Sequence, residues 1–170
     1  LNRHHPGYAY GWYLASWLLR KTQRLPDALR TIDRALLLEP SDRFRLHRAR
    51  CLLEAGDMAG AAAAAGALRG RPLSDAVLHG ETGTLLYRLG DHAGALEHYS
   101  AAIELNQLNP EFHFNRAAVR RYLGDAVGAE QDFDAAIALR PDEYEAYNGR
   151  AQLRRQAVAH NHVAQLRDTI

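Results

Sequence analysis

The sequence predicts an all-α fold, a solenoid of stacked antiparallel helix pairs. Two observations carry this. First, Gly-Asp pairs stand at 56–57, 90–91 and 124–125, each 34 residues after the last. Gly60, Gly94 and Gly128 keep the same step, as do Ala61, Ala95 and Ala129, then Ala67, Ala101 and Ala135, and the small residues Ala49, Gly83 and Ala117. Tyr99 and Phe133 match as aromatics, with Ala65 in their place one period earlier. A period of this length is the mark of a repeat architecture. Second, each period holds two apolar faces at i, i+3, i+4, i+7 spacing, and no alternating β-branched run competes with them.

The fourth period, 110–139, shows the unit most clearly. Phe112, Phe114, Ala117, Ala118, Val119 and Leu123 make one face, and Ala129, Phe133, Ala136, Ile137 and Leu139 the next. Between them, Gly124 ends a helix and Asp125 caps its successor; Pro141 stops the second. The first period is less regular. Trp12, Ala15, Ser16 and Leu19 form its first helix, and Ala28, Ile32 and Ala35 its second, closed by Pro40. Gln23-Arg24 stands where Gly-Asp is expected, and the step from Ala28 to Ala61 is 33, so one residue is missing from the turn after Pro40. The second period carries AGAAAAAGALRGRP (59–72), whose few large side chains and interior glycines predict the least well packed helix,. After Pro141, Tyr144, Tyr147, Ala151 and Leu153 begin another first helix, and RAQLRR (150–155) echoes RAAVRR (116–121). A short final helix is expected around Val158 to Arg167. The expected division is a tail at 1–8, repeats at 9–41, 42–75, 76–109 and 110–143, and a capping helix or degenerate fifth repeat at 144–170, all in one continuous solenoid.

Composition narrows the function. The 170 residues carry 24% charged side chains and a formal net charge of +1, which argues against nucleic acid as a partner,. No apolar run reaches the roughly 20 residues that span a bilayer, so membrane insertion is not expected. Cys51 is the single cysteine; no intrachain disulfide can form, and a reduced, cytoplasmic setting is the expectation,. On its helix beside Leu52 and Leu53 it reads as a buried, inert thiol. His4-His5 and His160-x-His162 lack the partners of a structural zinc site and read as exposed tail histidines,. The Gly-Asp pairs lack the lysine and hydroxyl of a phosphate loop. Glu97-His98 and Asp132-x-Asp134 fall on second helices and read as solvated. No catalytic triad or dyad assembles, so neither an enzyme nor a cofactor is expected.

This pattern resembles the tetratricopeptide repeat (TPR) family over roughly residues 9 to 156. Its small first-helix position falls on Ser16, Ala49, Gly83 and Ala117; its small second-helix positions fall on Ala28, Ala61, Ala95 and Ala129, then on Ala35, Ala102 and Ala136, with Leu68 departing from the last series. The closing proline matches at Pro40 and Pro141, while Gln107 holds that place in the third repeat. The resemblance implies a right-handed superhelix with a concave face lined by first helices. Carried over by register, that face holds Tyr10, Tyr13, Trp17, Arg20 and Lys21, then Arg43, Leu46, Arg50, Leu53 and Glu54. It continues with Val77, Gly80, Thr84, Tyr87 and Arg88, then Glu111, Phe114, Ala118, Arg121 and Tyr122, and finally Arg155. The expected binding set is Tyr10, Tyr13, Trp17, Arg20, Arg43, Arg50, Tyr87, Arg88, Phe114, Arg121 and Tyr122. Aromatic and arginine side chains anchor interfaces, and the basic groups outnumber Glu54 and Glu111. A peptide or protein partner is implied, acidic and with an apolar anchor. The family's carboxylate clamp for chaperone tails is not matched, because Tyr13, Trp17, His47, Val77 and Glu81 occupy its positions. RRQ (154–156) with NHV (161–163) is similar to the junction in bacterial proteins that join such repeats to a sulfotransferase domain, which makes the repeat portion of such an enzyme the alternative. Self-association through exposed solenoid ends is a further expectation.

Overall fold

Local capping chemistry sets where each helix starts and stops. A computed structural model describes residues 7–73 and 75–153, together with Arg167. Nine helices occur among the described residues: α1 (Ala9–Lys21), α2 (Leu25–Leu38), α3 (Asp42–Glu54), α4 (Met58–Gly66), α5 (Ala76–Arg88), α6 (His92–Leu105), α7 (Pro110–Tyr122), α8 (Ala126–Leu139) and α9 (Tyr144–Leu153). They fall into two compact units divided between residues 73 and 74. The first holds the pairs α1–α2 and α3–α4; the second holds α5–α6, α7–α8 and α9. The final helix expected around Val158 to Arg167 lies outside the described residues, apart from Arg167 itself.

The Gly-Asp turn does what its chemistry predicts. Gly56, Gly90 and Gly124 take φ of 82°, 84° and 83°, a left-handed backbone that costs glycine little,. Asp57, Asp91 and Asp125 then accept a hydrogen bond from the backbone N–H of Gly60, Gly94 and Gly128, at 2.8, 2.9 and 2.9 Å. This accounts for the recurring glycine three residues past each aspartate. A Cβ on Gly94 would stand 2.6 Å from Asp91 Oδ2, and closer still at the other two turns, so glycine leaves room for the capping carboxylate. In the first repeat Gln23 takes φ 59° in place of the glycine, and Arg24 gives α2 no side-chain cap.

Most of the small-residue series are contact points between helices; the series Ala67, Ala101 and Ala135 is not, with Ala67 exposed and the other two half-buried. Ser16, Ala28, Ala35, Ala49, Ala61, Ala95, Ala102, Ala117, Ala129 and Ala136 are all 0% exposed. Axes can approach to roughly 8–10 Å only where such residues face each other. In the first unit one core cluster holds Ile32, Ala35, Phe44 and Ala9, with Trp12, Tyr13 and Leu36 at its edge. The turn from α2 to α3 spans 39–41, three residues, where the α6–α7 turn spans 106–109, four; the residue missing after Pro40 is missing here. Helix α4 has nine residues where α2, α6 and α8 have fourteen. Leu68, just past its end, is fully buried and takes over where alanine sits in the other repeats. In the second unit one cluster joins Ala102, Ile103 and Phe112, and another joins Ala117, Phe133, Ala136, Ile137, Ala146 and Tyr147.

Several side chains depart from the positions expected of them, among them Leu123 and Leu139, which are 49% and 36% exposed at the ends of their apolar faces. Tyr144 is 53% exposed and outside the core, because α9 buries Ala146, Tyr147, Gly149 and Arg150 instead. The Phe133 ring presses on Gly149 so closely that a Cβ there would overlap it. Neither His98 nor Asp132 is solvated; both are 3% exposed. They are register mates on α6 and α8, and each faces a histidine of the preceding first helix, His79 or His113.

Candidate functional site

The exposed large side chains of the first helices are the candidate site residues, unit by unit. On α1, Tyr10 and Trp17 are each 44% exposed. Tyr13 lies half-buried beside Tyr10, stacks on Phe44 with centroids 5.1 Å apart, and meets His47 edge-on. Lys21 Nζ sits 5.5 Å from the centroid of the Trp17 ring, a cation–π contact,. Arg20 donates to Glu54 of α3, so its charge is already matched within the site. Arg43 is exposed and Arg50 half-buried on α3, whereas Leu46 is buried and unavailable to a ligand.

Beneath this face lies a buried polar trio. Ser16 Oγ donates to the Ala28 carbonyl at 2.7 Å and lies 3.0 Å from His47 Nε2. The hydroxyl proton is committed to the carbonyl, so the imidazole Nε2–H is the donor of the second bond. Cys51 Sγ is 3.6 Å from the same nitrogen. Burial pushes the thiol up to about 11, which keeps it protonated and poorly nucleophilic at neutral pH,. Burial, then Arg20 and Arg50, lowers His47 to about 4. Below pH 6.5 the unfolded imidazole takes up a proton that the folded one refuses until about pH 4,. Stability contributed by His47 therefore falls as pH drops through that window, by up to roughly 3 kcal/mol, and levels off beneath it. His47→Gln keeps a donor for Ser16 but cannot titrate. Urea melts of both proteins from pH 7 to 4 should show a flatter dependence in the variant; identical slopes would remove His47 as the cause.

In the second unit the exposed rings gather at the C-terminal ends of α5 and α7. Tyr87 is 37% and Tyr122 66% exposed, and His92 lies between them, with centroids 5.2 and 3.8 Å away. His92 is absent from the sequence-derived set because it opens a second helix. Its only sequence signal is its place directly after the Gly90-Asp91 turn. Arg88, which follows Tyr87 in the chain, and Arg121, which precedes Tyr122, are exposed, and Arg121 Nη1 donates to Gln152 Oε1 of α9 at 2.8 Å. Phe114 belongs more to the core than to the face: it packs on the α7–α9 cluster and meets Phe133 edge-on at 5.8 Å. Phe112 closes over Gly80, where a Cβ would stand 2.5 Å from the ring.

Behind that face runs a second buried polar seam. His79 and His98 approach through their Nδ1 atoms at 3.1 Å. One period later Asp132 receives Arg116 through two bonds of 2.7 and 2.8 Å and Arg120 through one of 2.9 Å, with His113 Nδ1 3.6 Å away. Among the described residues no group of three or more His, Cys, Asp or Glu is placed to hold a metal, and no helix is long and apolar enough to cross a membrane. His4, His5, His160, His162 and Arg155, and the RRQ and NHV segments, lie outside the described residues.

Comparison with known proteins agrees with this architecture. A tetratricopeptide repeat model matches residues 13–75, and a second model, described as TPR repeat, matches residues 83–124. No protein of curated function matches the sequence. Among solved structures the chain is similar to YrrB, a TPR protein with an unusual peptide-binding site, at TM-score 0.72 and 21% identity over 89% of this chain and 79% of that one. It is similar to MamA protein at TM-score 0.72 and 15% identity, over 85% and 80% of the two chains. It is also similar to a tetratricopeptide repeat protein from Parabacteroides merdae at TM-score 0.71 and 21% identity, over 85% and 58%. At these identities the likeness concerns fold alone. With helix pairs at a 34-residue step, small buried residues recurring where the described helices cross and two repeat models matched, the chain is a tetratricopeptide repeat protein.

Proposed function

We propose that the chain is a non-enzymatic protein-interaction module in which the exposed first-helix side chains of each compact unit take a peptide segment of a partner protein. The carrying observation is the exposure of Tyr10 and Trp17 on α1 of the first unit and of Tyr87 and Tyr122 on α5 and α7 of the second. Large rings kept in water beside arginines are the side-chain types that become interface anchors. The peptide-binding site of YrrB, a protein of similar fold, supports the same reading. The repeats that present the face run over 9–41, 42–75, 76–109 and 110–143, with α9 opening the segment from 144 to 170. Arg88 and Arg121, exposed and adjacent in sequence to Tyr87 and Tyr122, favour a carboxylate in the partner together with an apolar anchor. Arg20 adds little to that preference, since Glu54 already neutralises it.

The test is affinity against an array of peptides with apolar anchors, in acidic, neutral and basic versions. Trp17→Ala should weaken peptides taken by the first unit, and Tyr122→Ala those taken by the second, about tenfold or more, as expected for anchor residues. Helix content should stay unchanged, because both rings are largely outside the core. Affinity unaltered in both variants would overturn the proposed face. Equal binding of acidic and basic peptides would remove the charge preference and leave the face.

A further inference from the structure

The exposed surface of helix α1 shares Tyr10, Trp17 and Lys21 with the peptide face and extends past them to Leu14 and Leu18. At 100° per residue, Trp17, Tyr10, Lys21, Leu14 and Leu18 form one continuous stripe about 100° wide. Leu14 is 46% and Leu18 59% exposed, beside Tyr10 and Trp17 at 44% each. The register shows how unusual this is within the chain. The mates of Leu18 are Cys51 on α3 and Val119 on α7, and those are 0% and 1% exposed. The mate of Leu14 on α3 is His47, 4% exposed. Helix α3 buries these positions against the α1–α2 pair, and α7 buries its own against α5–α6. On α1 both positions carry leucine, and both stand in water.

We propose that α1 is a self-association surface on which two copies of this chain pair their α1 helices antiparallel. Three features favour a second copy as the occupant. The stripe is self-complementary: in an antiparallel register centred between residues 15 and 16, Leu14 of each copy meets Trp17 of the other, and Tyr10 meets Lys21. Charge sets the direction. The sequence of α1 holds no acidic residue, and its only cations, Arg20 and Lys21, sit in its last turn. Parallel pairing would place Lys21 against Lys21, whereas antiparallel pairing separates them by roughly 16 Å, beyond the Debye length of about 8 Å, and opposes the helix dipoles favourably. Area sets the strength. Roughly half of two aromatic rings and two leucines is on the order of 400 Å² per copy, so two copies bury about 800 Å², the size of a weak, transient interface.

Sedimentation of the chain across micromolar to millimolar concentrations tests this. The average mass should climb from monomer toward dimer. In a Leu14→Glu/Leu18→Glu variant the dimer dissociation constant should rise about tenfold or more, with circular dichroism unchanged because neither side chain is in the core. Leu14 and Leu18 are outside the proposed peptide set, so this variant leaves that reading intact. Orientation is read by mixing Leu14→Cys and Trp17→Cys chains: antiparallel pairing cross-links the mixture faster than either chain alone. A monomer at every concentration, which would leave the stripe to a different occupant, overturns the proposal. So does undiminished dimerisation of the double variant. Faster cross-linking of Leu14→Cys chains with themselves overturns the antiparallel geometry.

Discussion

Replacing Phe133 by alanine is expected to cost about 3–5 kcal/mol, the range for removing a buried phenyl ring. The ring is 1% exposed and sits among Ala117, Ala136, Ile137, Ala146 and Tyr147, with Phe114 edge-on and Gly149 pressed against it. It ties α8 to both α7 and α9, so its loss opens a cavity that three helices cannot easily collapse to fill. Helical repeats unfold by units rather than all at once. The loss should therefore appear in the transition of the second unit, with the first little affected. Urea denaturation followed by Trp17 and Trp12 fluorescence, which reports the first unit alone, and by circular dichroism, which reports both, separates the two. A cost below about 1 kcal/mol would mean that the α7–α8–α9 contact is not built on this ring. Phe133→Leu should recover most of the stability, since it fills most of the volume.

Asp132→Ala should cost about 3 kcal/mol, the lower end of the range for removing one partner of a buried ion pair. The carboxylate is 4% exposed in its side chain and holds Arg116 and Arg120, with His113 close by. Without it two guanidinium groups share a seam in which Asp125, 3.6 Å from Arg120, is a poor substitute. The arginines are 16% and 23% exposed in their side chains, so they can turn partly toward water, and this holds the cost at the lower end. Raising the salt from about 0.1 to 1 M should change the difference between wild type and variant little, because buried pairs are screened weakly. A difference that disappears in salt would show the seam to be solvated, as its sequence position suggests.

The string of residues alone dictates the repeat, its step, its turns and its helix crossings. These are legible because they depend on neighbours a few residues away or on one residue type recurring at a fixed step. Glycine with positive φ, an aspartate capping the next helix and alanine where axes approach are each local requirements, and each is met at the expected residue. Even the lost residue after Pro40 and the weak second helix of the second repeat show in the string. Which polar side chains leave water is settled only by the packing of the helices. Asp132, His98 and His47 are indistinguishable in sequence from surface residues; they are buried because a neighbouring helix lies across them. The same holds for the face: Arg20 is paired because Glu54, 34 residues away, reaches it, and His92 joins Tyr87 and Tyr122 because two repeats stack there. Burial and pairing depend on what a distant segment places opposite a side chain, and a period marks where helices stand without stating which of their charges will be enclosed.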